Sequence, residues 1–540
     1  MSSTSILLVS INARYGHCAF AARSLKANLG ALRDAAEILE TDLDAQPFQL
    51  ASEIAGRQPR VAGFSVYLWN VRIVRETLAI LRQVAPGIRI VLGGPEIVEG
   101  CEADWSALAD DLVVGEGETA FRGICEYALA SSGSVSESVS GSNSMPIPTL
   151  VRSPHVIPPP PENLSQLALP YDLYTDIDLA HRTIFVEASR GCPFCCAYCT
   201  SCDTGLRLIP LARLLPALEQ LLARGVRAFR FLDRSLNASE EQACGLLDFF
   251  LARACGENGS RGRSPSIPVA NGVLSNGGRA SSRAAVNETL PLVMHRHPAR
   301  LQLHFEIMPC RLGAPLRQRL AAFPAGALHL EVGVQTLNEA AARAVGRTVP
   351  NTVVLETLRF LAQETHATVH ADLIFGLPGE DEASFAAGFD RLVREFDFPE
   401  LQVNLLKRLP GTPLAREARV AGLAFNPHPP YELLVGDALD FATICRLQRF
   451  ARCWELIHNR GRFPPAARLL WQAGDGSPFQ RYAALAERIH AAEGRLHALG
   501  AERLAGHVAE FLVSECGLSA EEAQTAILGA RASRPQEIHG

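Results

Sequence analysis

Short apolar runs rich in β-branched residues alternate with segments of helical period along most of this chain, and that alternation constrains the fold more than any other feature. The first series covers residues 5–128. Ile6–Ile11, Val61–Leu68, Ile88–Leu92 and Leu112–Val114 each end in turn residues. Between them lie segments such as Val71–Val84, where Val71, Val74, Leu78 and Leu81 share a face. Strands that read as almost unbroken apolar runs are covered on both sides, so the alternation predicts an α/β domain with a parallel sheet over residues 1–130.

A second series follows. Its expected strands are Thr183–Ala188, Ala228–Leu232, Leu301–Ile307, Leu328–Val334, Val369–Phe375 and Leu401–Leu406, separated by helical patterns such as Leu211–Ala223 and Asn351–Glu364. Six such units predict a βα (TIM-like) barrel, complete or partial, over residues 181–420, with its site at the carboxyl ends of the strands. Residues 131–146 are Ser/Gly-rich and Pro158–Pro161 form a stiff run, so 131–180 reads as a linker. The Gly/Ser/Arg/Asn-rich stretch 254–285 reads as a disordered insertion in the barrel. Residues 425–540 are Ala/Leu/Arg-rich with helical period and read as a small helical C-terminal domain.

The 540 residues are too many for one core. A formal net charge of −6 gives no reason to expect a nucleic-acid or anionic-membrane partner. The first apolar run is short and follows no basic segment, and no stretch reaches the roughly 20 apolar residues of a membrane span. A cytoplasmic location is therefore expected.

Of 14 Cys residues, five fall between Cys192 and Cys202. In a large chain of this kind a tight cluster points to metal or redox chemistry and not to a disulfide framework. Cys192, Cys196 and Cys199 are spaced C-x3-C-x2-C directly after an apolar strand. Three such thiolates can hold three irons of a cubane and leave the fourth open. Two other readings exist. Cys192/Cys195 with Cys199/Cys202 could pair as a zinc site, but the gap between the pairs is far below the roughly 15–20 residues of a zinc ribbon. Cys196, Cys199 and Cys202 fit a ferredoxin-like C-x2-C-x2-C, but the fourth Cys and its Pro are missing.

The spacing, with Tyr198 just before the last Cys, resembles the signature of radical S-adenosylmethionine enzymes. The resemblance implies a [4Fe–4S] cluster held by Cys192, Cys196 and Cys199. It further implies that the open iron takes the amino and carboxylate groups of S-adenosyl-L-methionine, whose reductive cleavage yields a 5′-deoxyadenosyl radical. An electron donor such as flavodoxin or ferredoxin goes with it. Successive strand ends extend the resemblance over about 183–415: Asp233 in Phe231–Asn237, Glu306 in His304–Ile307, Gln335 in Glu331–Gln335, and Asp372 and Gly376 in Asp372–Glu380. With Tyr198 these are the residues implied to contact S-adenosylmethionine; Asp233 would face the amino group and Asp372 the ribose.

Residues 5–128 resemble the cobalamin-binding, Rossmann-like (flavodoxin-like) domain found ahead of many radical enzymes. The matching pieces are Leu8–His17, Phe64–Trp69, Leu92–Glu96 and Gly115–Glu118. They imply a cobalamin site formed by Asn12, Ser65, Tyr67, Gly93, Gly94, Pro95, Gly115, Glu116 and Gly117. Some such domains ligate cobalt with the His of D-x-H-x-x-G. Here Arg14 stands at that place and His17 is displaced, so no imidazole from this loop is expected on the metal. With the Asp233–Arg234 segment and the helical tail, the layout resembles a bacterial family of cobalamin-domain radical enzymes that ends in a domain of unknown function. The implied activity is cobalamin-dependent radical chemistry, with methyl transfer to an unactivated carbon of a small-molecule or peptide substrate. The alternative is a radical enzyme whose N-terminal domain no longer binds cobalamin.

Overall fold

A computed structural model describes residues 5–130, 153–202, 204–254, 300–396, 398–417, 422–472 and 476–532. The Ser-rich stretch 131–146, read as part of a linker, and the insertion beyond Ala254, read as disordered, lie outside the described residues.

The first sheet has six parallel strands: β1 (Ile6–Asn12), β2 (Ala36–Asp42), β3 (Val61–Ser65), β4 (Arg89–Gly93), β5 (Asp111–Val113) and β6 (His155–Ile157). Their order is β2-β1-β3-β4-β5-β6, the flavodoxin-like arrangement with one strand added at the edge. β1 is central and buried along its whole length. Its Leu7, Val9 and Ile11 pack on one face with Leu50, Ile54, Val74 and Leu78, while Ile6 and Leu8 pack on the other with Ala22 and Phe121. The two edge strands were not expected from the sequence. β2 carries Glu37, Glu40 and Asp42, and β6 lies inside the segment read as a linker.

The second sheet holds the barrel strands β7 (Ile184–Val186), β10 (Ala228–Phe231), β11 (Gln302–Ile307), β12 (Leu328–Gln335), β13 (Thr368–Phe375) and β14 (Glu400–Leu405). A two-residue antiparallel ladder, β8 (Ser189–Arg190) with β9 (Arg207–Leu208), lies between β7 and β10 in the chain. The parallel order is β14-β13-β12-β11-β10-β7, and β14 does not pair with β7, so the barrel is partial. In β12, Leu328, Leu330, Val332 and Val334 are buried under the outer helices. His329, Glu331, Gly333 and Gln335 alternate with them and are only partly buried.

Helices Phe441–Trp454, Pro464–Gln472, Pro478–Glu493, Ala501–Ser514 and Ala520–Ala532 make the C-terminal part helical, as its periodicity predicts. They share one continuous core with the barrel. Phe389 meets Phe450 and Trp454 at ring-centroid distances of 5.0 and 4.8 Å, and Trp454 Nε1 donates to Leu401 O at 2.7 Å. No described helix is long and apolar enough to cross a membrane.

The N-terminal sheet is fastened to the barrel by a buried cluster of two cations and two anions. Arg23 pairs with Glu40 at 2.6 Å and Asp178 at 2.7 Å; Arg182 pairs with the same two carboxylates at 3.2 and 3.3 Å. Removing one member strands the others in a poorly solvated site, which costs about 3–5 kcal/mol. Arg23→Met is therefore expected to lower the unfolding free energy by about that amount, measured by urea denaturation. A loss within about 0.5 kcal/mol would contradict this role.

Candidate active site

The cysteine loop runs from β8 to β9, and the ladder pairs Ser189 with Leu208 and Arg190 with Arg207 to close it. Gly191 enters the loop at φ +83°, and a Cβ there would overlap Gly205 O, so only glycine fits. Inside, Cys199 N donates to Cys196 O at 2.9 Å and Ala197 N donates to Val345 O at 2.9 Å. Cys192, Cys196 and Cys199 line one cavity of about 160 Å³. Cys195 is exposed and Cys202 does not line this cavity. No three His, Cys, Asp or Glu side chains among the described residues close on a single-ion site. A cubane takes its thiolates on separate irons, so three thiols spread around one cavity suit it.

Tyr198, Glu306, Gln335 and Asp372 line the same cavity, so the structure brings together four of the six residues read as S-adenosylmethionine contacts. The Tyr198 hydroxyl is buried with no partner. Gln335 has φ +69°, a left-handed conformation that costs a non-glycine residue about 1–3 kcal/mol and that gathers at functional sites.

Asp233 and Gly376 stand apart. The Asp233 carboxylate accepts from Ala188 N at 2.9 Å and Ser189 Oγ at 2.5 Å, so it braces the base of the cysteine loop instead of facing a ligand. Burial pushes it up to about 6. Gly376 has φ +88°, and a Cβ there would meet Leu433 at 2.5 Å; it is a packing position.

Sequence reasoning missed three charged residues of this cavity. Glu331 accepts from Arg230 at 3.3 Å and contacts His304 Nε2 at 3.1 Å. Burial opposes its ionisation, but the His304 bond and the charges of His370, His304 and Arg230 bring it down to about 2. Arg347 places Nη1 3.5 Å from Cys196 Sγ and donates to Gly333 O, and Arg234 completes the wall. Only the alternation along β12 could have pointed to Glu331. Nothing local marks Arg347, which follows a short helix.

Behind Asp372, His370 pairs with Asp372 at 3.3 Å and lies 3.8 Å from Glu400. Burial lowers His370, but Asp372, Glu400 and Glu331 overcome it and raise it to about 9. Its stabilising effect is present in full below the unfolded value of 6.5 and is lost as pH rises through about 9. Urea midpoints should thus fall over that range, by at most about 3 kcal/mol in free energy, and His370→Gln should flatten the fall. Equal slopes in both proteins would contradict the pairing.

A second cavity, of about 530 Å³, opens at the carboxyl ends of the first sheet, where open α/β sheets bind ligands. Asn12, Ser65, Tyr67, Gly93, Gly94, Gly115, Glu116 and Gly117 line it. Pro95 does not; it is exposed. The cavity continues as a slot between the sheet and two helices, reaching Gly63, Val91 and Val113 below and Ser24, Leu25 and Phe121 beside. Its depth and glycine-lined mouth suit a large ligand with a long tail. Asn12 is internally satisfied, accepting from Ser10 and donating to His17 O and Glu40. His17 lines the cavity, its ring edge-on to Phe185 at 5.6 Å. Burial and the charges of Arg230 and Arg14 lower His17 to about 4.

Phe185, Glu187, Arg190, Arg230 and Leu232 of the barrel form the opposite wall of the slot. Arg230 therefore lines the slot while its guanidinium pairs with Glu331 of the cysteine cavity. The pair thus joins the lining of one cavity to the lining of the other.

Residues 7–125 match the B12 binding domain family, and residues 421–528 match a family described as protein of unknown function (DUF4080). A 2-(S-pantetheinyl)-carbapenam-3-carboxylate methyltransferase of Streptantibioticus cattleyicolor is 25% identical over 392 residues, 69% of this chain and 50% of the relative. The cobalamin-dependent radical SAM methyltransferase TokK of Streptomyces tokunonensis is 26% identical over 155 residues, 26% of this chain and 22% of that protein. The chain thus spans half or less of the length of these curated relatives. Among solved structures, the radical S-adenosylmethionine methyltransferase TsrM from Kitasatospora setae, with cobalamin and a [4Fe–4S] cluster bound, superposes with TM-score 0.55 at 18% identity, over 90% of this chain and 98% of that one. The cobalamin-dependent S-adenosylmethionine radical enzyme OxsB, with aqua-cobalamin and S-adenosylmethionine bound, gives TM-score 0.55 at 13% identity, over 99% of this chain and 82% of that one. The chain therefore carries a sheet that matches the B12 binding domain family, a segment that matches DUF4080, and between them a partial barrel; as a whole it has the fold of the superposed enzymes.

Proposed function

We propose that this chain is a cobalamin-dependent radical S-adenosylmethionine methyltransferase. One observation carries the reading: the three-thiol cavity of the barrel and the deep slot of the B12-binding domain lie on opposite sides of the Arg230–Glu331 pair. Two cofactors held there would act on one substrate between them. The names of the relatives and of the superposable enzymes point the same way.

Bound cluster and cobalamin would supply one-electron and methyl-carrying chemistry. The chain's own residues bind and orient. Cys192, Cys196 and Cys199 hold three irons, while Cys195 and Cys202 do not. Glu331, kept ionised, supplies the carboxylate for an ammonium that the sequence had assigned to Asp233. Glu306, Gln335 and Asp372 offer the remaining polar contacts to S-adenosylmethionine. The glycines at 93, 94, 115 and 117 let a corrinoid tail approach the backbone. The first loop, with Arg14 where some such domains carry a histidine and the His17 ring edge-on to Phe185, would hold a corrinoid without supplying it an imidazole. A flavodoxin or ferredoxin in the cytoplasm would supply electrons to a site of this kind.

The test is turnover of methyl-labelled S-adenosylmethionine by protein reconstituted anaerobically with iron, sulfide and hydroxocobalamin. Formation of both S-adenosylhomocysteine and 5′-deoxyadenosine supports methyl transfer. Formation of 5′-deoxyadenosine alone would replace it with other radical chemistry.

A further inference from the structure

Arg190 and Arg207 are register partners on the two short strands that open and close the cysteine loop. Both side chains reach the Gly115–Glu118 loop of the B12-binding domain. Arg190 donates to both oxygens of Glu118, at 2.7 and 3.2 Å, and lies 3.4 Å from Glu116. Arg207 donates to both oxygens of Glu116, one at 3.0 Å and one closer. On the barrel side, Glu187 takes Arg190 Nε at 3.0 Å. On the other side, Glu118 also accepts from Ser24 Oγ at 2.8 Å, on the helix that walls the slot. Glu118 is buried and Arg190 partly so, and two-pronged pairs in such surroundings are geometrically demanding. The same loop lines the slot through Gly115, Glu116 and Gly117. A shift of that loop to admit a ligand therefore moves the groups that hold both ends of the cysteine loop.

We propose that Arg190 and Arg207 are positioning residues that couple the two sites, so that a corrinoid in the slot and an iron–sulfur cluster in the cysteine loop each tighten the binding of the other. The proposal rests on the cofactor reading given above. Coupling of this kind is reciprocal: whatever factor the cluster adds to corrinoid affinity, the corrinoid adds to cluster affinity. Arg190 also lines the slot wall, so Arg207, which lines neither cavity, is the residue that reports the coupling by itself.

The test is the dissociation constant of hydroxocobalamin, read by absorbance, for the full chain with and without its reconstituted cluster. The clustered protein should bind at least about fivefold more tightly. Arg207→Gln, at a residue that lines neither cavity, should bring the ratio close to one while still binding corrinoid. Hydrogen exchange of the peptide spanning 187–208 supplies a second readout: adding hydroxocobalamin should slow it in the wild type and leave it unchanged in the variant. Equal affinities with and without the cluster would overturn the coupling and leave the cofactor reading standing, and this comparison needs no variant. Failure of the chain to hold any corrinoid would overturn both.

Discussion

Single replacement of Cys192, Cys196 or Cys199 by Ala is expected to abolish the cluster. Iron after anaerobic reconstitution should fall from about four per chain to a small residue, and S-adenosylmethionine cleavage should stop. Cys195→Ala and Cys202→Ala should keep their iron. The reason is placement: the first three thiols line one cavity, whereas Cys195 is exposed with its carbonyl against Gly346, and Cys202 lies outside the lining. A cubane that has lost one of three protein ligands exposes a second iron to solvent, which is why the effect is large. Retention of iron by Cys192→Ala with loss in Cys195→Ala would overturn the assignment.

The second large effect belongs to the slot. Gly93→Leu should raise the dissociation constant for hydroxocobalamin by about a hundredfold or more, equivalent to about 3 kcal/mol. A Cβ at Gly93 meets nothing closer than Val113 O at 3.7 Å, which is ordinary contact, so the backbone tolerates the change. The added isobutyl group must then occupy the mouth of the cavity that Gly93 lines. Cluster content should be unchanged, which separates a blocked slot from a misfolded chain. Gly94 is the wrong place for this experiment. Its φ is +105° and a Cβ there would stand 2.6 Å from Val66 O, so loss of binding would report damage to the sheet. Unaltered corrinoid affinity in Gly93→Leu would place the ligand elsewhere.

Much of this architecture was legible because parallel strands under helices must be apolar on both faces. β1 announces itself that way. The edge strands β2 and β6 did not, since an edge is covered less and tolerates Glu37, Glu40 and the exposed His155. The cysteine loop was marked by spacing alone, because three thiols on one loop need no tertiary contact to be recognised. Strand-end residues were harder. A carboxylate just after β10 can face the cavity or the chain behind it, and Asp233 took the second course by binding Ala188 and Ser189. Pairings across the fold leave no local trace: Arg347 beside Cys196 joins positions 151 residues apart, and Arg230 with Glu331 joins positions 101 apart. Glu116 was read as a cobalamin contact, and it does line the slot. Its carboxylate turned out to be engaged by Arg207, which no motif in the first domain could disclose.

A corrinoid in the slot and an iron–sulfur cluster in the cysteine cavity would be held by one chain, on linings joined by the Arg230–Glu331 pair. Electron paramagnetic resonance of the reconstituted, reduced protein tests this without any knowledge of the substrate. The expected result is a Co(II) signal without nitrogen splitting from His17 together with a reduced-cluster signal, each broadened by the other's spin. Two unperturbed signals, or a cluster signal with no retained cobalt, would contradict it.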